Sequence, residues 1–302
     1  MTLKLGMHTG PQDLEMEELL RLWRRADEAG FHWVSVWDHF YANPLRSRED
    51  PCFEGVAAMA ALAAVTSRVR VGCLVFCALF RTPGLLAKAA VTIDHISNGR
   101  AEIGIGAGWF KEEFEDFGYA FPPLGQRLSQ MEEAAQIVRS LWREPVTSFH
   151  GKYYDIEGAV GSPKPINPKM ALWIGGSGAK RTPRMAARHA DGFNMPYLPP
   201  RMVKERLDTV AAACERIGRD PSEIESSVNL HFRMGAGGGP DASDQTARVN
   251  AGALVGGSQQ VIDRLGEYAE AGIQGVNIAL RPPVDWEALE TYISEVMPVF
   301  HG

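Results

Sequence analysis

Two histidines and an aspartate stand at the ends of the first two β-rich runs of the sequence. His8 ends the run over residues 3–8, and Asp38 and His39 follow the run over residues 33–37. An imidazole beside a carboxylate can hold and exchange a proton near neutral pH. We therefore predict that Asp38, His39 and His8 are catalytic. His39 or His8 would exchange a proton, while Asp38 would orient His39 or hold a polar ring edge.

A glycine-rich turn separates another β-rich run from the helical pattern that follows it. The members of this turn are Gly175, Gly176, Ser177 and Gly178. Glycines let backbone N–H groups approach a ligand closely, and a helix N-terminus favours an anion. Four cations follow before the next acid, namely Lys180, Arg181, Arg184 and Arg188. Cations in a first helical turn oppose the macrodipole at a cost of roughly 0.3–1 kcal/mol each, so we predict that a bound phosphate offsets their charge.

A second glycine run follows the fourth β-rich run. It resembles a dinucleotide fingerprint, but one residue instead of two precedes its third glycine. We interpret Gly106, Ala107 and Gly108 as room for a flat ring against the backbone, and packing at a barrel rim is the alternative. Three aromatic side chains near the strand ends are predicted to line a substrate pocket: Phe76, Trp109 and Tyr197.

The elements that would position these residues alternate between short β-rich runs and longer helical patterns. Strands are predicted at residues 3–8, 33–37, 70–75, 101–105, 171–174, 192–194, 226–232 and 275–280. Thr82 and Thr182, each followed by proline, are predicted to be N-caps of helices. Eight strand–helix units are what a (β/α)8 TIM barrel requires, and such barrels place their chemistry at the C-terminal strand ends. We predict one α/β domain over residues 1–302, with residues 146–168 and 235–257 as loop insertions and the latter mobile.

Composition excludes several classes of protein. The 302 residues include 31 basic and 37 acidic side chains, for a net charge of -6, which argues against a nucleic-acid binder. No apolar run approaches the roughly 18 residues that would cross a membrane, and the first residues lack the apolar region of a signal peptide. Four cysteines without zinc-like spacing predict neither a disulfide scaffold nor a metal site. We expect a reduced, cytoplasmic protein that acts on a small molecule.

Several motifs taken together resemble the bacterial luciferase-like superfamily. They lie at residues 38–40, 81–83, 96–100, 104–109, 174–178 and 190–193. The resemblance implies a TIM barrel that binds a flavin or a deazaflavin, usually as a homodimer. Residues 106–110 and 180–182 look like the branch that uses coenzyme F420.

That branch implies further positions in this chain. A non-proline cis peptide would lie at Leu74–Val75 behind the deazaflavin, and we place Leu74, Val75 and Cys77 against the cofactor. Its phosphate turn matches residues 176–178, with Lys180 and Arg181 attracting the phosphate. Some members carry a catalytic acid just after the strand-four glycines. Trp109 stands there in this chain, and the nearby acids Glu112 and Glu113 are in another register, so His8 and His39 remain the candidate proton donors.

These features predict hydride transfer between coenzyme F420 and a small organic substrate. An FMN-dependent monooxygenase that uses oxygen would keep the same fold and phosphate turn. A serine hydrolase is an alternative of another class, because residues 175–179 nearly fit a nucleophile elbow and Ser177, Asp208 and His231 occur in the required order. A non-catalytic cofactor-binding protein is the last alternative.

Overall fold

Eight parallel strands form a closed barrel in the computed structural model, which describes residues 2–43, 47–235 and 252–300. The described residues contain eleven strands in all, eight of them in the barrel: β1 (Lys4–Thr9), β2 (Trp33–Val36), β3 (Arg70–Cys77), β4 (Ala101–Gly106), β5 (Thr147–His150), β6 (Asp155–Ala159), β7 (Leu172–Gly175), β8 (Gly192–Pro196), β9 (Glu225–Met234), β10 (Leu254–Gly256) and β11 (Gly275–Leu280). Around the barrel the order is β11-β1-β2-β3-β4-β7-β8-β9, and pairing of β9 with β11 closes it. All eight predicted strands are therefore present, and the predicted TIM barrel is confirmed.

Helices cover the outside of the barrel. They are α1 (Met16–Ala29), α2 (Gly55–Val65), α3 (Pro83–Ile96), α4 (Lys111–Asp116), α5 (Leu124–Arg143), α6 (Arg181–His189), α7 (Pro200–Glu215), α8 (Ser258–Glu270), α9 (Trp286–Thr291) and, after a π-helical turn (Tyr292–Val296), α10 (Met297–Phe300). Strands β5 and β6 form an antiparallel hairpin within the predicted insertion at residues 146–168. Residues 236–251, which hold most of the loop predicted to be mobile, lie outside the described residues. Among the helices described, none is long and apolar enough to cross a membrane.

One of the two predicted threonine caps is confirmed and the other is wrong. Thr82 precedes α3, and its hydroxyl accepts a hydrogen bond from the Leu85 amide at 3.4 Å, with Pro83 in the first helical position. Helix α6 begins earlier than predicted, at Arg181, with Lys180 in the N-cap position. Thr182 is buried inside the first turn instead, where it supports the glycine turn described below.

The N-terminal end of the barrel is closed by buried charges around Arg70. Its guanidinium donates to both Glu102 carboxylate oxygens and, at 2.9 Å, to Glu225. Glu102 also accepts from the Trp173 indole at 2.6 Å, and His32 lies 2.8 Å from Arg70 Nη1. These bonds link strands β3, β4, β7 and β9, so this end of the barrel is a structural plug, and the open C-terminal end carries the candidate site.

Candidate active site

The C-terminal ends of the strands form two walls of different composition, which face each other across the mouth of the barrel. On one side lie the glycine-rich ends of β4 and β7. Strand β1 is four positions from β7 around the eight-stranded ring, so the ends of β1, β9 and β11 form the opposite wall. The segment after β2, which carries Asp38 and His39, lies between them. This placement agrees with the position of active sites in TIM barrels.

The glycine turn after β7 is built to leave backbone amides open. No hydrogen bond from the amides of Ser177, Gly178 or Ala179 to any described group is present. The side chain of Thr182 lies directly beneath the turn, so a Cβ at Gly178 would come within 2.8 Å of its hydroxyl oxygen. Open amides at the start of a helix suit an oxyanion. The turn therefore fits the phosphate group predicted for it.

The charge after the turn is more balanced than the sequence suggested. Arg181 donates to the Gly125 carbonyl at 2.8 Å and to the Ser129 hydroxyl at 2.7 Å. Glu132 on α5 lies 3.5 Å from both Arg181 and Arg188. A neighbouring helix therefore supplies a carboxylate that offsets part of this charge, and phosphate binding at the turn stays a prediction. Lys180 is exposed and forms no ion pair with any residue that the structure describes.

The side chain of Val75 occupies the space over the glycines of β4 and β7. The Leu74–Val75 peptide is cis, as the family resemblance implied. A Cβ at Gly104, Gly106 or Gly175 would lie within 2.4–2.8 Å of a Val75 methyl carbon. Our interpretation of Gly106 as room for a flat ring is corrected, because Val75 fills that room. Half-buried Val75 itself is the surface presented at this wall.

The Asp38 carboxylate is fully used in hydrogen bonds that join the segment after β2 to the segment after β3. Its carboxylate accepts from both terminal nitrogens of Arg81, at 2.7 and 2.8 Å, and from the Cys77 amide at 2.9 Å. Asp38 and Cys77 are both buried, and burial raises the pKa of the Cys77 thiol to about 12. Asp38 therefore does not orient His39, in contrast to the prediction, and it ties the end of β2 to β3. The sequence showed Arg81 beside the helix cap without indicating this role.

Glu113 takes the part that was predicted for Asp38. Its carboxylate oxygens lie 2.8 and 3.0 Å from His39 Nδ1, and one of them accepts from the amides of Phe40 and Tyr41 at 2.8 and 3.0 Å. Glu113 is 1% exposed. The sequence placed this acid in another register, because α4, the short helix that turns it inward, was not predicted. The pair leaves His39 Nε2 available for proton exchange.

The chain is similar to known proteins over most of its length. A sequence profile of the luciferase-like monooxygenases matches residues 2–238. The chain belongs to this family. It is 28% identical over 218 residues to an uncharacterized protein of Mycobacterium tuberculosis, covering 72% of this chain and 66% of that protein. It is 31% identical over 192 residues to an F420-dependent glucose-6-phosphate dehydrogenase of Amycolatopsis mediterranei, covering 63% of this chain and 56% of that enzyme. The matches thus span less than two thirds of these relatives.

Solved structures of similar fold include enzymes with either cofactor. An F420-dependent secondary alcohol dehydrogenase, in complex with an F420–acetone adduct, gives a TM-score of 0.86 at 19% identity and covers 100% of both chains. The oxygenating constituent of 3,6-diketocamphane monooxygenase from Pseudomonas putida, in complex with FMN, gives 0.76 at 16% identity and covers 99% of both chains. At such identities the likeness shows the luciferase-like barrel fold.

Other predicted site residues divide between the mouth of this luciferase-like barrel and its core. Trp109 is 59% exposed and lies edge-on to His39, with ring centroids 5.6 Å apart. Tyr197 has a positive φ of 52° and its ring lies 4.9 Å from that of His231. Phe76 is 1% exposed and packs in the hydrophobic core. The prediction that Phe76 lines the substrate pocket is corrected, because its side chain is buried in this core.

His8 is unsuited to donate a proton near neutral pH. Its Nδ1 lies 2.9 Å from the Ser35 hydroxyl, and its ring lies 5.0 Å from that of Trp37. Burial, with Arg281 and His39 nearby, lowers the pKa of His8 to about 3. The imidazole is therefore neutral at physiological pH, and His39 is the better candidate for proton exchange.

The residues of a serine hydrolase are not assembled. Asp208 is exposed on α7 and binds Lys204 at 2.9 Å. His231 contacts Tyr197 instead, and within the described residues no hydrogen bond links Ser177, Asp208 and His231. The family barrel also lacks the sheet on which a nucleophile elbow is built, so this alternative is wrong.

Buried His8 and half-buried His32 and His231 predict that acid weakens the fold. Burial is the largest cause that lowers the pKa of His8 and His231 to about 3 and that of His32 to about 4. Imidazoles of the unfolded chain titrate near 6.5, so below that pH the unfolded state binds more protons than the folded state. The free energy of unfolding should therefore fall between about pH 7 and about pH 5. Urea midpoints across this range will measure the slope. His32→Gln, whose amide oxygen can still accept from Arg70, should reduce it, and an unchanged slope would contradict this account.

Proposed function

We propose that this protein is an oxidoreductase that transfers a hydride between coenzyme F420 and a small organic substrate. The observation that carries the proposal is the turn with open amides at residues 177–179, at the same barrel mouth as the His39–Glu113 pair. The relative from Amycolatopsis mediterranei and the alcohol dehydrogenase structure, both F420-dependent by name, support this choice of cofactor.

The residues present fit such a cofactor at both of its ends. The amides of Ser177, Gly178 and Ala179 would hold the phosphate of F420, and exposed Lys180 would attract both this phosphate and the polyglutamate tail of the cofactor. Half-buried Val75, with Leu74 beside it, would support the ring. A tricyclic ring against β3 and a phosphate at the end of β7 would lie on one continuous wall, because β4 alone separates the two strands.

The protein's own contribution is orientation and a proton path. The bound deazaflavin supplies the hydride chemistry. His39 would give a proton to, or take one from, a substrate oxygen through Nε2, while Glu113 holds Nδ1 and stabilises the positive charge that arises on the ring. The exposed indole of Trp109 lies edge-on to His39, and it would shield the His39 imidazole from water.

Direct binding tests the cofactor. Quenching of the fluorescence of F420 should report binding, and calorimetry with FMN should show weaker binding or none. Absence of F420 binding, together with tight FMN binding, would overturn the proposal. A purified protein that binds F420 but turns over no compound in a panel of alcohols, ketones and enones would instead indicate a cofactor-binding protein without catalysis.

A flavin-dependent monooxygenase is the second candidate. It is favoured by one observation, the similar barrel of the Pseudomonas putida oxygenase with FMN. The open amides of the turn would serve its phosphate equally well. Oxygen consumption in the presence of reduced FMN and a substrate panel separates the two functions, because the F420 proposal requires none.

Replacing Gly178 by alanine should weaken cofactor binding about tenfold or more, equivalent to roughly 1.4 kcal/mol. The new methyl group would lie 2.8 Å from the Thr182 hydroxyl oxygen, so the turn must shift and its amides lose their alignment on the phosphate. Fluorescence titration with F420 measures the change. Gly266→Ala is the matched control, because no atom lies within 4 Å of its added carbon. Equal affinity of both variants would contradict a phosphate role for the turn.

We also propose that the protein forms a homodimer through α2 and the adjoining start of α3. Helix α2 is apolar on its outer side as well as its inner side, and Leu85 beside it is 59% exposed. A helix that is hydrophobic all round is typical of a buried one. Ala57→Glu should therefore convert a dimer to a monomer in sedimentation velocity. Ala212→Glu on the exposed side of α7 should not, and a monomeric unmodified protein would reject the proposal.

A further inference from the structure

The wall opposite the glycine turn carries two imidazoles in one row. Strand pairing aligns His8 on β1 with Ala279 on β11, and Ala279 with His231 on β9. The two histidines are thus separated by one small side chain. Arg281 follows two residues after Ala279, directly beyond the end of β11, and lies within electrostatic reach of both histidines.

Arg281 is half-buried, and no acid of the described residues pairs with it. Arg70 and Arg81 each pair with two carboxylates. Arg281 forms no ion pair within residues 2–43, 47–235 and 252–300, although the chain has more acidic than basic residues. Its guanidinium lies over the Trp37 ring, 5.3 Å from the centroid, and Nη1 donates to the Asn43 carbonyl.

The edge of the Arg281 guanidinium formed by Nε and Nη2 is suited to bind a ligand. Nε is buried, and no group within the described ranges accepts a hydrogen bond from Nε or from Nη2. These two nitrogens form the side-on edge that binds carboxylate or phosphate with two parallel hydrogen bonds. An unpaired, half-buried cation costs stability, so an arginine held in this way is expected to serve binding.

The residues around Arg281 could add hydrogen bonds to an oxyanion without adding a negative charge that would repel it. Burial, then Arg281, lowers the pKa of His231 to about 3, so its imidazole is neutral and can donate one hydrogen bond. Tyr197 lies against His231, with ring centroids 4.9 Å apart, and brings a phenol to the same wall. Among the described residues, the charged groups that lower the pKa of His231 are Arg281 and Arg233, both cations.

We infer that Arg281, with His231 and Tyr197, forms a substrate subsite for an oxyanion, either a carboxylate or a phosphate. This inference rests on the proposed function, because it assigns the opposite wall to the cofactor. The substrate is then an anionic compound whose reacting carbon lies between the oxyanion at β11 and the hydride position near β3. Neutral analogues of the same size would lose the paired hydrogen bonds and bind more weakly.

Calorimetry with sodium acetate and with inorganic phosphate, at constant ionic strength, tests the subsite and separates its two sources of oxyanion. Because phosphate also suits the glycine turn, each titration uses the unmodified protein, Arg281→Met and Gly178→Ala. At least one anion should lose about tenfold or more in affinity in Arg281→Met and keep this affinity in Gly178→Ala. Binding of neither anion, or equal binding to the unmodified protein and Arg281→Met, would overturn the inference.

Two further variants and one parallel measurement complete the test. Arg281→Lys keeps the charge but lacks the planar edge, so its affinity should fall between those of the unmodified protein and Arg281→Met. Arg201→Met, on the exposed surface of α7, should bind like the unmodified protein. F420 fluorescence titrations on the same preparations report the proposed function separately, and Arg281→Met should keep its F420 affinity. Loss of anion binding with intact F420 binding supports both proposals, whereas absent F420 binding in the unmodified protein rejects only the cofactor.

Discussion

Replacing His39 by alanine is expected to lower kcat by a factor of about 10²–10⁴, the usual contribution of a positioned acid or base. Affinity for F420 should change little, because the phosphate turn and Val75 lie on other strands. Turnover with any substrate found in the alcohol, ketone and enone panel measures the loss. Free imidazole added to the assay should restore part of the activity, since it can occupy the space left beside Glu113 and exchange the proton.

Two companion variants show whether the proton path is the cause. His95→Ala, on the exposed surface of α3, should keep kcat near that of the unmodified protein. Glu113→Gln should keep the hydrogen bonds from the amides of Phe40 and Tyr41 to one side-chain oxygen. It loses the negative charge beside His39, so kcat should fall about tenfold or more while KM changes little. A kcat for His39→Ala within a few-fold of the unmodified value, without rescue by imidazole, would contradict a role for His39 in proton exchange.

The barrel strands could be predicted because the apolar pattern that identifies each strand lies within the strand itself. Fully buried parallel strands are continuous runs of apolar residues, and the pattern over residues 70–75 or 275–280 contains that information without any partner. Helix α4 was missed because its six residues, Lys111–Asp116, contain five charged side chains and show no apolar face. Its inward residues, Glu113 and Phe114, are buried by the loops around them, which no local pattern describes.

The hydrogen-bond partners of the site residues could not be predicted from the sequence around each residue. Asp38 and His39 are adjacent in sequence, yet one binds Arg81 and the other binds Glu113, which is 74 residues away. Sequence proximity favoured pairing Asp38 with His39. The glycines of β4 were misassigned for the same reason, because the side chain that needs their space, Val75, comes from the neighbouring strand. The glycine turn after β7 lies where the sequence placed it, because its conformation depends on its own backbone, and its phosphate role stays a prediction.

The largest expected loss of stability comes from Arg70 at the closed end of the barrel. Arg70→Met would leave the carboxylates of Glu102 and Glu225 near each other without the cation that now lies between them. Breaking a buried ion pair on one side costs about 3–5 kcal/mol. The midpoint of urea unfolding should fall accordingly, while the slope of the transition stays the same. Arg24→Met on the exposed face of α1 should change the midpoint little.

The pH dependence of this variant distinguishes lost charge pairing from lost packing. Burial already raises the pKa of Glu102 in the intact protein, against the opposing effect of Arg70. Without Arg70 this carboxylate would take up a proton more readily, and the folded state would then bind more protons than the unfolded state at mildly acidic pH. The difference in the free energy of unfolding between Arg70→Met and the unmodified protein should therefore become smaller as pH falls. Adding Glu102→Gln should remove part of this difference near neutral pH, because the uncompensated charge is removed. A difference that is independent of pH and unaffected by Glu102→Gln would show that Arg70 acts through packing on Trp33 and Trp173, over whose rings its guanidinium lies.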